Sequence, residues 1–306
     1  MRKSRIAALA MLLLISVCGC NKPQPEEPTT TVITLVSTTE VENENGTLVE
    51  ALYSDSTRMY FRLLSDTTAE VACYHDFYDR EHESAGWIYR GKVTVPEALS
   101  HAGKTLSVVG IGDHAFGRYT DGYAYYLASF VTEVILPKSI TRIGDEAFCH
   151  CNELTSIKIP KYVTYIGYSA FAKTGLTSVE LPGSITEIMH SCFAECEHLA
   201  SVKLPNTLIT IGDMAFGNCT SLTEFEIPES VYFLGYCVFM GTNSLKTLVC
   251  HPTTPPAKSQ FGYYYDGPLQ LSDSLQFETI YVPMESVEAY KGYTPWKLYR
   301  DIITGF

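Results

Sequence analysis

The chain has 306 residues, 46% of them hydrophobic, and a formal net charge of −12 at pH 7. This hydrophobic content is enough for a substantial core and excludes a wholly disordered chain, while the length allows one large domain or two ordinary ones. The acidic surplus argues against nucleic acid and anionic membrane surfaces as partners, because both carry phosphate groups that the chain would repel.

The first twenty residues predict an export signal that ends in a lipid-attachment site. Arg2, Lys3 and Arg5 form a basic segment, and the apolar run over residues 6–17 is too short to span a bilayer. The closing sequence "VCGC" resembles a bacterial lipobox. This resemblance implies that residues 1–20 form a lipoprotein signal peptide and that Cys20 becomes acylated. An ordinary signal peptide that happens to contain a cysteine is the alternative.

The next segment predicts an extended tether. Residues 21–31 contain "NKPQPEEPTT", which is rich in Pro and Glu and has no apolar period. Loss of the signal leaves 19 basic against 34 acidic residues, a formal net charge of −15. We therefore expect an exported protein, lipid-anchored to the outer membrane or cell surface, that contacts the membrane through the anchor only.

Residues 32–110 predict an N-terminal β cap together with the first repeat unit. The stretch "VENENGTLVEALYSDSTRMYFRLL" alternates between polar and apolar residues and contains Asn45-Gly46, a hairpin signal. A separate sandwich-like domain over residues 32–89 is the alternative.

Residues 111–252 repeat one unit, and each unit closes with a proline. The closing prolines are Pro137, Pro160, Pro182, Pro205 and Pro228, spaced 23, 22, 23 and 23. Apolar residues recur before and after each proline, and an Ala-Phe step follows at Phe116, Phe148, Phe171 and Phe216, with substituted copies at Phe193 and Phe239. Because no unit can bury these residues alone, stacked units must bury them against one another, as in a solenoid.

The full pattern, "L-x-x-h-x-h-P-x-x-h-x-x-I-G-x-x-A-F-x-x-C", resembles the BspA-like leucine-rich repeat of bacterial surface proteins over residues 91–284. This resemblance implies an α/β-type leucine-rich repeat solenoid, built mostly of short β-strands with short helical turns. The closing stretch "ETIYVPMESVEAYKGYTPWKLYRDI" resembles the family's last unit. Residues 253–306 are therefore expected to hold an insertion, the last repeat strand and a helical C-terminal cap. Such families share recognition as their function, and several members are described as adhesins.

Two tyrosine-rich insertions interrupt the period. The first holds Tyr119, Tyr123, Tyr125 and Tyr126, and the second holds Tyr263, Tyr264 and Tyr265. Insertions in solenoids lie on one side, and tyrosine is enriched at interfaces, so these residues are candidate binding residues. The alternative is that they pack over the solenoid ends as local lids.

Two rows of side chains repeat along the predicted surface. Two residues before successive prolines stand Lys158, Glu180, Lys203 and Glu226, whose alternating charges we expect to fix strand register. Four and five residues after the prolines stand Thr164, Tyr165, Thr186, Glu187, Ile209, Thr210, Tyr232 and Phe233. Exposed aromatic side chains are costly unless something covers them. We therefore take Tyr165, Tyr232 and Phe233 as further candidate binding residues.

The cysteines mostly occupy repeat positions, which predicts small buried side chains. Cys151, Cys196 and Cys219 share one position, Cys192 stands in an alanine slot and Cys250 in an apolar strand position. Strand stacking would bring Cys196 and Cys219 about 5 Å apart, so their spacing alone leaves a disulfide open. With no C-x-x-C pair, the sequence gives little support to a structural zinc site.

The sequence contains one cluster of histidine and acidic residues but no recognisable catalytic motif. The stretch "YHDFYDREHE" carries His75, Asp79 and His82 among other acids, but its spacing fits no known metal loop, so a solvated acidic turn is favoured over a divalent-ion site. No nucleophile elbow or paired carboxylates occur, so we expect no enzyme activity and no cofactor. The sequence therefore predicts a surface protein that recognises an extracellular protein or glycan. A structural or accessory envelope lipoprotein associated with nutrient uptake is the alternative.

Overall fold

The computed structural model describes residues 34–43, 46–54, 58–72, 89–117, 130–258, 271 and 277–306. The predicted signal peptide, Cys20 and the tether lie outside the described residues. The same holds for Asn45, the acidic stretch from His75 to Glu83 and both tyrosine-rich insertions.

The described part of the chain consists almost entirely of short strands. Its strands are β1 (Leu35–Asn43), β2 (Gly46–Tyr53), β3 (Arg58–Leu63), β4 (Thr68–Ala72), β5 (Arg90–Thr94), β6 (Ala98–His101), β7 (Lys104–Ile111), β8 (Phe130–Ile135), β9 (Arg142–Ile143), β10 (Ser156–Ile157), β11 (Tyr165–Ile166), β12 (Ser178–Glu180), β13 (Glu187–Ile188), β14 (Ser201–Lys203), β15 (Thr210–Ile211), β16 (Glu224–Ile227), β17 (Phe233–Leu234), β18 (Thr247–Cys250), β19 (Ala257–Lys258), β20 (Thr279–Val282) and β21 (Ile303–Gly305). Its helix α1 (Val287–Gly292) is flanked by two 3-10 helices, Met284–Ser286 and Thr294–Tyr299.

Each repeat unit contributes one strand to each of two walls. The pre-proline wall contains β5, β8, β10, β12, β14, β16, β18, β20 and β21, and the post-proline wall contains β7, β9, β11, β13, β15, β17 and β19. Within each wall, strands that pair are parallel. This arrangement is a leucine-rich repeat solenoid with many short strands, as the period predicts.

The expected helical turns are wrong for the described repeats, which turn without forming a helix. Each of these units whose turn is described in full places two residues in the left-handed region, which a right-handed helix cannot contain, and the unit of His114 is described only as far as the first. The first of the two is His114, Glu146, Ser169, Ser191, Met214 or Cys237, and the second is His150, Lys173, Glu195, Asn218 or Gly241. The turn between the two walls is therefore tight and irregular.

A ladder of phenylalanine rings forms the centre of the core. The ladder consists of Phe116, Phe148, Phe171, Phe193, Phe216 and Phe239, each at most 1% exposed. Neighbouring centroids lie 5.2 to 6.2 Å apart, and the first five rings are within 5° of parallel. Each unit thus buries its ring against those of the units beside it, which confirms the prediction that units bury one another.

In three units an aspartate directly after the Ile-Gly step links the unit to the next one. The Oδ1 atom of Asp113 accepts the N–H of Asp145 at 2.9 Å, and that of Asp145 accepts the N–H of Tyr168 at 3.0 Å. Asp213 does the same for the N–H of Tyr236 at 2.7 Å. These side chains satisfy turn amides that no strand ladder pairs.

The N-terminal strands continue the post-proline wall. Strands β1 to β4 form an antiparallel meander, and β4 then pairs in parallel with β7. Val49, Phe61 and Val71 are fully buried in the same core cluster as the repeats. One sheet and one core therefore join the meander to the solenoid.

The C-terminal helical segment closes the other end with buried aromatic side chains. Trp296 Nε1 donates to the carbonyl of Pro256 at 3.0 Å, and the Tyr290 hydroxyl donates to the carbonyl of Pro252 at 2.8 Å. Both rings are fully buried. These bonds tie the helical segment to the last described repeat.

Candidate functional site

The post-proline wall aligns the candidate aromatic residues in columns. Tyr165 lies beside Arg142 in register, and Thr210 lies between Glu187 and Phe233. Tyr165 and Phe233 are half-buried and Thr210 is buried, so this column is less exposed than the sequence suggests. The residues immediately before these strands are open to solvent, with Tyr232 61% and Ile209 43% exposed.

Tyr165 already has partners within the chain. The Arg142 guanidinium lies 5.1 Å from the centre of its ring, and its hydroxyl donates to Asp145 Oδ1 at 3.1 Å. Arg142 also pairs with Asp113 at 2.8 Å. Burial, together with the charge of Asp145, raises the pKa of Tyr165 to about 12. One face of this ring is therefore unavailable to an external ligand.

Tyr232 borders a cavity of about 640 Å³ on the outside of the solenoid. Its other polar lining includes Lys203, Glu226, Glu229 and His251. The volume is within the range of about 300 to 1,000 Å³ typical of small-ligand sites. The structure thus places an exposed ring and four ionisable side chains around one depression.

The alternating charge row forms only in part. Lys203 Nζ lies 2.6 Å from Glu180 Oε1, on strands β14 and β12 that pair in register. Glu226 instead faces His251 at 3.8 Å, and Lys158 has no ion pair among the described residues. The row is interrupted because β12 and β14 form a two-stranded sheet of their own, so the register does not continue across it.

The cysteines of the described residues are free and buried, so Cys196 and Cys219 are not disulfide-bonded. The Cys196 thiol donates to the carbonyl of Phe171 at 3.0 Å, and the Cys219 thiol to that of Phe193 at 3.1 Å. Thr242 takes the same place in a later unit and donates to Phe216 at 2.7 Å. In these units the position supplies a small donor to the carbonyl of the preceding unit's phenylalanine, whereas Thr174 donates to the carbonyl of Phe171 in its own unit at 2.9 Å.

Burial predicts inert thiols in the folded protein. It raises the pKa of Cys149 to about 12 and raises the pKa of Cys196 and Cys219 as well. Since the thiolate is the nucleophile, we expect each described cysteine to react with iodoacetamide at pH 8 at least about 100-fold more slowly before unfolding than after it. Peptide mapping of pulse-alkylated samples measures this. Rapid labelling of Cys196 or Cys219 in the folded protein would contradict the burial of these thiols.

The same part of the chain also bears on metal binding and on membrane spanning. The described residues contain no group of three or more His, Cys, Asp or Glu side chains arranged to hold a metal ion. No helix among them is long and apolar enough to cross a membrane.

Sequence reasoning identified Tyr232, Lys203 and Glu226 but missed the cavity that they share. The missing lining residues, Glu229 and Asn206, stand directly after Pro228 and Pro205. A polar residue follows the closing proline in four of the five units, with Gly183 in the other, and this recurrence was a signal for the polar lining but not for the cavity itself.

Comparison with protein families identifies the repeats. Residues 118–246 match the model of the BspA type leucine rich repeat region, in six copies. This segment is similar to that repeat region, in agreement with the resemblance of its motifs. No curated protein matches the chain.

Solved structures of bacterial leucine-rich repeat proteins are similar to the chain. A leucine rich cell surface protein from Faecalibacterium prausnitzii is 20% identical, with a TM-score of 0.48 over 82% of this chain and 72% of that one. The T. pallidum leucine rich repeat protein is 26% identical, with a TM-score of 0.49 over 61% and 77%. A leucine-rich repeat protein from Bacteroides ovatus is 20% identical, with a TM-score of 0.42, and the chain spans 63% of its length.

Proposed function

We propose that this protein is a lipid-anchored, non-catalytic recognition protein of the bacterial surface that binds an extracellular protein or glycan. The observation that carries the proposal is Tyr232, whose ring is 61% exposed beside a cavity lined by charged side chains. Large exposed aromatic side chains are typical of binding hot spots. The tyrosines of the two insertions, Tyr123, Tyr125 and Tyr126 with Tyr263, Tyr264 and Tyr265, are proposed as further binding residues.

Anchoring is proposed to depend on Cys20 alone. We expect Cys20→Ser to move the protein from the membrane fraction to the soluble fraction, because acyl chains and not the solenoid supply membrane affinity. Fractionation followed by immunoblotting measures this, and circular dichroism of the soluble form checks that the strands are retained. Unchanged membrane fractionation would contradict the anchor. Protease treatment of intact cells then tests whether the folded part faces outward.

Recognition is proposed to depend on the aromatic side chains of the post-proline wall. We expect the combined change of Tyr165, Tyr232 and Phe233 to Ala to weaken binding at least about thirtyfold, since one hot-spot residue is worth roughly 2 kcal/mol or more. The measurement uses the detergent-solubilised full chain on arrays of matrix proteins and glycans.

A matched control separates this loss from general damage. Tyr162→Ala removes a tyrosine that is 55% exposed on the same solenoid but does not line the cavity. This variant should bind like the unaltered protein. Equal binding by the triple variant and the control, with both folded by circular dichroism, would overturn the proposal. No described feature favours a structural or nutrient-uptake role over recognition.

A further inference from the structure

The cavity beside Tyr232 has an aromatic wall without a cation of its own. Elsewhere on the described solenoid, positive groups of the chain itself lie over aromatic rings: Arg90 over Phe130 at 4.9 Å, Arg142 over Tyr165 at 5.1 Å and Lys161 over Tyr162 at 4.6 Å. Among the described residues no such group lies over Tyr232, although its ring is the most exposed of these four. Its open face is thus chemically matched to a cation from another molecule.

The charges around the same cavity also favour a cationic ligand. Lys203 is paired with Glu180 at 2.6 Å, so its positive charge is already compensated. Glu226 Oε2 lies 3.8 Å from His251 Nε2, and Glu229 has no ion-pair partner in the described part of the chain. The cavity lining therefore holds two carboxylates, while its one lysine is already paired with Glu180, which is not among the lining residues.

We propose that this cavity is a subsite for an arginine or lysine side chain of a protein partner, with its charged group over the Tyr232 ring and paired with Glu226 and Glu229. The proposal rests on the proposed function and deepens it, because it selects a basic protein segment over a glycan. Guanidinium suits this site best: it is planar, weakly hydrated and able to stack on a ring while it donates to carboxylates. A neutral sugar would gain no charge-assisted hydrogen bond from Glu229.

The chain contains an internal example of this geometry. Arg142 lies over the ring of Tyr165 and pairs with Asp113 at 2.8 Å, one side chain satisfying both an aromatic face and a carboxylate. At Tyr232 the ring and carboxylates are present, and the partner would supply the cation. Tyr232 stands three repeats beyond Tyr165 along the same wall.

The test uses two short peptides that differ in one charge. The acetylated and amidated tripeptide Gly-Arg-Gly, and the same peptide with neutral citrulline in place of arginine, are passed over the immobilised full chain in detergent at low ionic strength. We expect the arginine peptide to bind and the citrulline peptide to bind about tenfold more weakly, as the loss of a charged hydrogen bond implies. Added salt should weaken the arginine peptide only.

Variants locate the binding. Glu229→Gln and Tyr232→Ala should each weaken the arginine peptide about tenfold or more. Glu224→Gln, which removes an equal charge from an exposed residue of β16 outside the cavity lining, should change binding less than about twofold. If Glu224→Gln and Glu229→Gln weaken peptide binding equally, the binding depends on the overall negative charge of the protein, and the subsite is overturned.

The other outcomes separate this inference from the proposed function. Equal binding of the arginine and citrulline peptides, or no binding of either, overturns the cationic subsite. Binding of a neutral saccharide that is lost in Tyr232→Ala but unchanged in Glu229→Gln also overturns the cationic subsite. That result would still support recognition as the function. Arginine binding at the subsite with no macromolecule bound on any array supports the subsite and contradicts the proposed function.

Discussion

Replacing Phe193 with Ala will lower the free energy of unfolding by about 3 to 5 kcal/mol, as expected for a fully buried aromatic side chain. The ring of Phe193 is 0% exposed and lies 5.5 Å from the rings of both Phe171 and Phe216. Its removal leaves a cavity in the middle of the ladder, which the strands of two rigid walls cannot close. Denaturant titration followed by circular dichroism measures the loss.

The ladder also predicts how replacements at the neighbouring phenylalanine positions affect stability. Phe171→Ala and Phe216→Ala should destabilise the protein by similar amounts, because both rings occupy equivalent slots and are 0% exposed. Phe306→Ala is the matched control: its ring is 54% exposed at the end of the described chain, and surface changes usually stay within about 0.5 kcal/mol. A large loss at Phe193 with negligible losses at the two neighbouring slots would contradict the ladder.

Replacing Gly167 with Ala will destabilise the protein by about 2 to 3 kcal/mol through overpacking. A Cβ atom at this position would collide with Asp145 Oδ1 and lie 2.6 Å from the Asp145 backbone nitrogen. The aspartate cannot simply move away, because its Oδ1 atom accepts the Tyr168 N–H at 3.0 Å. Thermal unfolding of the purified variant measures the effect.

A second glycine provides the control for Gly167. A Cβ atom at Gly183 would meet nothing within 4 Å, so Gly183→Ala should be neutral or slightly stabilising. Combining Gly167→Ala with Asp145→Ala should recover only part of the loss, because the backbone contact remains. Equal stability of the Gly167 and Gly183 variants would show that units are less tightly stacked than the contact predicts.

The period of the sequence predicted the solenoid because every unit experiences the same environment. A strand residue or a ring that recurs at a fixed offset from a proline must lie above its copy, so the Phe193 and Phe216 contacts follow from spacing alone. The helical turns were predicted wrongly because left-handed backbone is carried here by ordinary residues such as Glu146 and Lys173, which have no local signature of it.

The candidate site was harder to predict because the solvent exposure of a side chain depends on the residues of the neighbouring repeat unit. Arg142 stands five residues after Pro137, the same offset that Tyr165 has from Pro160, so their contact was readable by aligning units. The cavity beside Tyr232 could not be predicted in this way, because its walls come from residues in three successive units. The depth of the cavity depends on how the turns of those units pack. Residue identity alone does not specify that depth.

Oxidative footprinting of tyrosine tests the central claim, recognition at the Tyr232 face, most directly. Hydroxyl radicals modify exposed rings, and Tyr232 and Tyr162 are 61% and 55% exposed in the unbound chain. With a ligand bound from the arrays, modification of Tyr232 should fall several-fold while that of Tyr162 stays unchanged. Unchanged modification of Tyr232 at saturating ligand, with protection at other tyrosines or none, would contradict the account.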